Sequence, residues 1–184
     1  MTEKLGSENA LERKQVLHLR LLAEELFGTL RSIAGEVEGE YWIEREGKSY
    51  TLHLRSDVEL TRETREALIA VSSSGGNAAV KGFTGKIREM IAVALLPKDS
   101  GVSLLSGLSL GLMSMAGPSA QGSSDSLRWS MKQYKTAVDS KRSGSADAEE
   151  TWDELEKSIV ASIADEVSVC VKGSDVEISI YNSF

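Results

Sequence analysis

The chain has 184 residues, of which 41% are apolar and 27% charged, the make-up of one ordinary globular domain with or without an insertion. A net charge of −7 argues against nonspecific nucleic-acid binding, which needs a clustered positive surface. The single cysteine, Cys170, excludes an intramolecular disulfide framework, and the N-terminal MTEKLGSENALERK has no apolar signal core, so the sequence points to the cytoplasm.

Taken in chain order, the first predicted element is a helix over Leu17–Ala34. Leu19, Leu22, Leu26, Leu30 and Ile33 recur at spacings of three and four and therefore share one face. Asn9 or Ser7 suits its cap, with Glu12 as capping-box partner, and Gly35 its stop. Two strands follow, Glu40–Arg45 and Ser49–Arg55, joined at Glu46-Gly47-Lys48. The second alternates Tyr50, Leu52 and Leu54 with Thr51, His53 and Arg55, which gives a sheet with one polar side.

A short helix after Thr61 ends at Ser72-Ser73-Ser74-Gly75-Gly76, and another runs from Asn77 or Thr84 to Leu96, where Pro97 stops it. Ser100–Ser124 is an uncharged stretch rich in Gly, Ser, Leu and Met. Its apolar part is about fifteen residues, short of the roughly twenty a membrane span needs, so it is expected to be buried or covered by a partner. A helix is predicted over Asp125–Val138, on Leu127, Met131, Tyr134 and Val138, followed by a polar linker, SGSADAEE. The last unit is a helix over Thr151–Ala164 with a stripe of Trp152, Leu155, Ile159 and Ile163. Two strands then carry Val167, Val169, Val171 and Val176, Ile178, Ile180 on one face.

Half-polar strands need one covered face, and amphipathic helices supply it. The expected fold is a two-layer α/β sandwich with a mostly antiparallel sheet, formed as a single domain over 1–184 with an insertion at about 97–150.

This order resembles the GHKL superfamily of histidine kinases, gyrase and MutL, and within it the bacterial anti-sigma-factor serine kinases. The likeness rests on LRLLAEELFGTLRSI at Leu19–Ile33, on the strand pair from Glu40 to Asp57, and on SIVASIADEVSVCVKGSDVEISIY at Ser158–Tyr181, about half the chain. The resemblance implies ATP and magnesium as cofactors. It assigns Glu24 or Glu25 as general base, Asp57 to adenine, and Gly107 and Gly111 of GLSLGL to a displaced phosphate loop.

The nucleotide motifs depart from that pattern. The magnesium-holding Asn four positions after the acidic residue is Gly28 or Thr29, and the glycines expected after Asp57 are Val58, Glu59 and Leu60. Loss of an oxygen ligand and of close backbone approach weakens ATP binding. The expectation is a regulatory domain that holds a protein partner, a sigma factor or an antagonist of one, with the ATP-dependent serine/threonine kinase as the alternative and self-association through the apolar insertion, as a homodimer, as a third reading.

Other features weigh less. Gly82-Phe83-Thr84-Gly85-Lys86 lacks the first glycine and the following Ser or Thr of a phosphate loop. His18 and His53 lie far apart and read as surface residues rather than a metal pair, and Cys170, on the polar side of its strand, reads as packing.

Overall fold

The computed structural model describes residues 11–34, 38–63, 66, 82–96 and 126–184. Within these the elements are α1 (Arg13–Ala34), β1 (Gly39–Glu46), β2 (Ser49–Asp57), α2 (Phe83–Ala94), β3 (Ser126–Ser130), α3 (Met131–Arg142), α4 (Ala146–Lys157), α5 (Ile159–Ile163), β4 (Glu166–Lys172) and β5 (Asp175–Ser183). The strands form one antiparallel sheet in the order β1-β2-β5-β4-β3. The α/β fold expected from the sequence is the fold observed.

The helix α1 begins where the Glu12 N–H donates to the Gln15 side chain at 2.9 Å, one half of a capping box, and Arg31 in its last turn complements the helix dipole. Its predicted stripe is the buried one: Leu19, Leu22, Leu26, Leu30 and Ile33 are each at most 1% exposed. The two hairpins turn through Gly47 and Gly173, both at φ 61°, a value glycine adopts without steric cost. Their registers set Leu52 opposite Ile180 and Val169 opposite Ile178, so the apolar residues of β2, β5 and β4 line one face of the same sheet.

Three expectations are corrected. Residues 126–130 are a fifth strand, not the start of a helix, with Leu127 and Trp129 buried and Arg128 exposed between them. Leu127 falls at a helical spacing from Met131 by coincidence, and five residues are too few for periodicity to separate strand from helix. Ser130, extended at φ −135°, ends β3 and caps α3, its hydroxyl accepting from the Gln133 N–H. The expected linker is mostly helical as well, since Ser145 caps α4 and its side chain accepts from the Ala148 N–H.

The predicted last helix is two helices, broken at Ser158, which caps α5 and accepts from the Ala161 N–H. The break rotates the stripe. Leu155, Val160, Ala161 and Ala164 are buried, whereas Ile159 is 52% exposed. Asn9, Ser7, Pro97 and the stretch 100–124 lie outside the described residues. Among the described residues no helix is long and apolar enough to cross a membrane.

The layering predicts unequal costs for two aliphatic truncations. Leu26→Ala, in the core at 1% exposure, should lower stability by about 2–5 kcal/mol in urea unfolding. Ile159→Ala should change it by no more than about 0.5 kcal/mol.

Candidate functional site

Side chains alternate across a strand, so the register that buries one face also composes the other. Across the five strands one row on that second face reads Trp42, His53, Ser179, Ser168, Ser130. The adjacent row reads Glu40, Arg55, Glu177, Cys170, Arg128. The hydrophobic core draws on the opposite face and on the helices.

His53 is the centre of the β2 end of this face. Its ring stacks on Trp42 with centroids 4.7 Å apart and planes 2° from parallel. Nε2 lies 3.7 Å from Glu44 and Nδ1 lies 3.8 Å from Glu177, too long for hydrogen bonds, and neither nitrogen has a hydrogen-bond partner. The side chain is only 15% exposed, which corrects its reading as a surface residue. A histidine on the polar side of a strand is covered here because the next strand sets an indole over it.

Beyond His53 the row falls to small side chains, Ser179, Ser168 and Ser130, with Arg128 of the adjacent row and Gln133 of α3 standing at its far end. That step leaves a groove of about 410 Å³ over β5, β4 and β3, with Cys170 and Glu177 also on its lining. Such a volume is in the range of small-molecule sites, roughly 300–1,000 Å³. Arg128 and this groove were not accessible to sequence reasoning, because residues 126–130 carry a helical spacing there.

The residues singled out from the sequence are dispersed. Glu24 is exposed on the outer side of α1 and pairs with Arg20 at 2.9 Å, one turn back. Glu25 borders a cavity of about 20 Å³ between α1, α2, α5 and the sheet, beside Thr29, whose hydroxyl donates to the Glu25 carbonyl at 2.8 Å. That space holds about one water molecule. Asp57 is exposed at the end of β2, opposite Asp175. No hydrogen bond or ion pair among the described residues joins Asp57 to either glutamate. Gly107 and Gly111 lie outside the described residues. Among the described residues no group of three or more His, Cys, Asp or Glu is placed to hold a metal ion.

No protein-family model, curated protein or solved structure matches the chain.

One ion pair on this face is built in both strands. Arg55 donates to the two oxygens of Asp175 at 3.0 and 2.8 Å, a forked contact across β2 and β5. The hydrogen bond from Arg55, and then its charge, hold the Asp175 carboxyl below its ordinary value. A depressed carboxyl contributes stability above its unfolded value, about 3.9, and that contribution is lost as pH falls through the lower folded value. In Arg55→Ala, therefore, the Asp175 pKa read by NMR should rise towards the unfolded value. The stability difference between variant and parent, present at neutral pH, should vanish below that acidic window.

Proposed function

We propose that this is a regulatory domain that acts by holding a protein partner, of the sigma-factor or sigma-factor-antagonist kind, with ATP binding weak or lost. The observation that supports the reading is the contrast between the two sides of the sheet. On the helix side, the cavity that Glu25 borders among the described residues holds about 20 Å³. The other side presents Trp42 as a flat aromatic among charged and hydroxyl groups, next to a groove of about 410 Å³. A half-buried indole on a polar sheet is the kind of residue that anchors protein interfaces, because it offers a large rigid area at little entropy cost.

The runner-up is the ATP-dependent serine/threonine kinase. Its general base would be Glu25, which borders the helix–sheet cavity, with Asp57 on adenine and magnesium on the phosphates. Calorimetry with ATP and magnesium separates the two. The partner reading expects no heat at micromolar ligand, whereas micromolar binding that Asp57→Asn abolishes would move the assignment to the kinase.

For the partner itself, the tagged chain should recover a sigma factor or its antagonist from cell extract. Recovery should fall about tenfold or more in Trp42→Ala, a hot-spot loss, and persist in Glu24→Gln on the far side of α1. Recovery that ignores Trp42→Ala would remove the open sheet face from the function.

A further inference from the structure

The groove over β3, β4 and β5 has a charge arrangement that partner binding does not require. At one wall stands Arg128, exposed, with no carboxylate paired to it among the described residues. At the other stands Glu177, with one oxygen, Oε1, turned towards His53 at 3.8 Å, the Arg55 guanidinium opposite it in the register, and no hydrogen bond to either oxygen among the described residues. Cys170 lies between them in the register, opposite Glu177 on one side and Arg128 on the other. Beside this row, Ser168 and Ser179 face each other, and neither hydroxyl makes a hydrogen bond within the described residues. Among the described residues the groove thus has a cation with no paired carboxylate, a carboxylate with no hydrogen bond and two unused hydroxyls on a floor of small side chains.

Unpaired donors and acceptors of this kind are satisfied by water or by a ligand, and the groove is large enough for the second. Arg128 is suited to a carboxylate, which its guanidinium can meet with two parallel hydrogen bonds. Glu177 is suited to an ammonium group. Their strands are two apart, so the backbones are separated by about 10 Å, and the Glu177 carboxylate, turned towards β2, does not shorten that span. At roughly 3.3–3.6 Å per extended residue, the ligand that joins them has its ends two or three residues apart.

We infer that this groove binds a short zwitterionic peptide, its terminal carboxylate on Arg128, its terminal ammonium at Glu177, and its backbone amides over Ser168 and Ser179. The site is independent of the partner reading, since it needs neither Trp42 nor a second protein.

The thiol on the floor provides the assay. Cys170 is the only cysteine in the chain, so its alkylation by N-ethylmaleimide reports occupancy of the groove directly. In the intact protein, alanyl-alanine and trialanine should slow alkylation in a saturable way. N-acetyl-alanyl-alanine, which lacks the ammonium, and alanyl-alanine amide, which lacks the carboxylate, should each bind about tenfold more weakly, the worth of one charge-assisted contact.

In Arg128→Ala the free peptide should fall to the affinity of the amide, and in Glu177→Gln to that of the acetylated form. Equal protection by free and blocked peptides, or none by any of them, would overturn the inference. Should either variant fail to fold, amide shifts of Ser168 and Ser179 in the parent protein, titrated with the same four peptides, decide it by the same rank order. Loss of partner capture in Trp42→Ala has no bearing on this result, so the two readings fail separately.

Discussion

The structure depends on one antiparallel pairing, that of β2 with β5. It runs from Ser49–Ser183 to Asp57–Asp175 and joins residues separated by more than half the chain. Everything N-terminal to it, α1 and the first hairpin, reaches the C-terminal half through this ladder and through the core beneath it. Two apolar rows cross it, Ile43–Leu52–Ile180–Val167 and Tyr41–Leu54–Ile178–Val169–Trp129. Helix α1 seals them with Leu22, Leu26 and Leu30, none more than 1% exposed. A pairing this distant in sequence must close a long loop before its contacts form, so its stability resides in buried side chains rather than in local propensity.

The same register decides what the opposite face can do. Because the side-chain period is two, a one-residue slip of β2 against β5 would turn β2 over, burying Arg55 and exposing Leu54 while Ile178 stayed in the core. Burial on one side therefore fixes the order of the polar row on the other, down to which serine faces which. The Arg55–Asp175 fork lies diagonally across that register. It is an exposed pair, weak as a source of stability, yet it is satisfied only in the native alignment. The groove beside it is a consequence of size alone: Trp42 over His53 at one end, Ser179 and Ser168 in the middle, Gln133 and Arg128 at the other.

Most of this architecture was legible in the sequence, because its signals are long or repeated. Five apolar positions in α1 and three in each inner strand cannot be assigned to another period, and the two glycines that turn the hairpins stand between clear alternations. What was not legible turned on short segments. Leu127 and Trp129 alternate over five residues, while Leu127, Met131, Tyr134 and Val138 fit a helix over twelve, and the longer pattern dominates. The outcome was decided by tertiary contact: Trp129 joins Phe83 and Tyr134 in an aromatic cluster with ring centroids 5.7 to 6.2 Å apart. Ser158 likewise carries no helix-breaking signal in a chain read alone, although its hydroxyl serves as a cap once the chain turns there. Missing β3 concealed Arg128, and with it one wall of the groove.

The adjacent glutamates on α1 show why a residue pair in sequence is not a pair in space. Successive helical residues point about 100° apart, so Glu24 and Glu25 cannot both address the sheet. Glu24 is turned outward and engaged by Arg20 in an i, i+4 contact of the kind that supports a helix surface. Glu25 is rotated towards the seam where α1 meets α2 and α5, and it alone borders the interior cavity. Of the two, only Glu25 could serve proton transfer at the helix–sheet seam, and substituting Glu24 tests only the helix surface. The same geometry separates the two faces of the protein: chemistry that needs a narrow, apolar seam belongs on the α1 side, and recognition that needs width belongs on the side of Trp42 and the serine row.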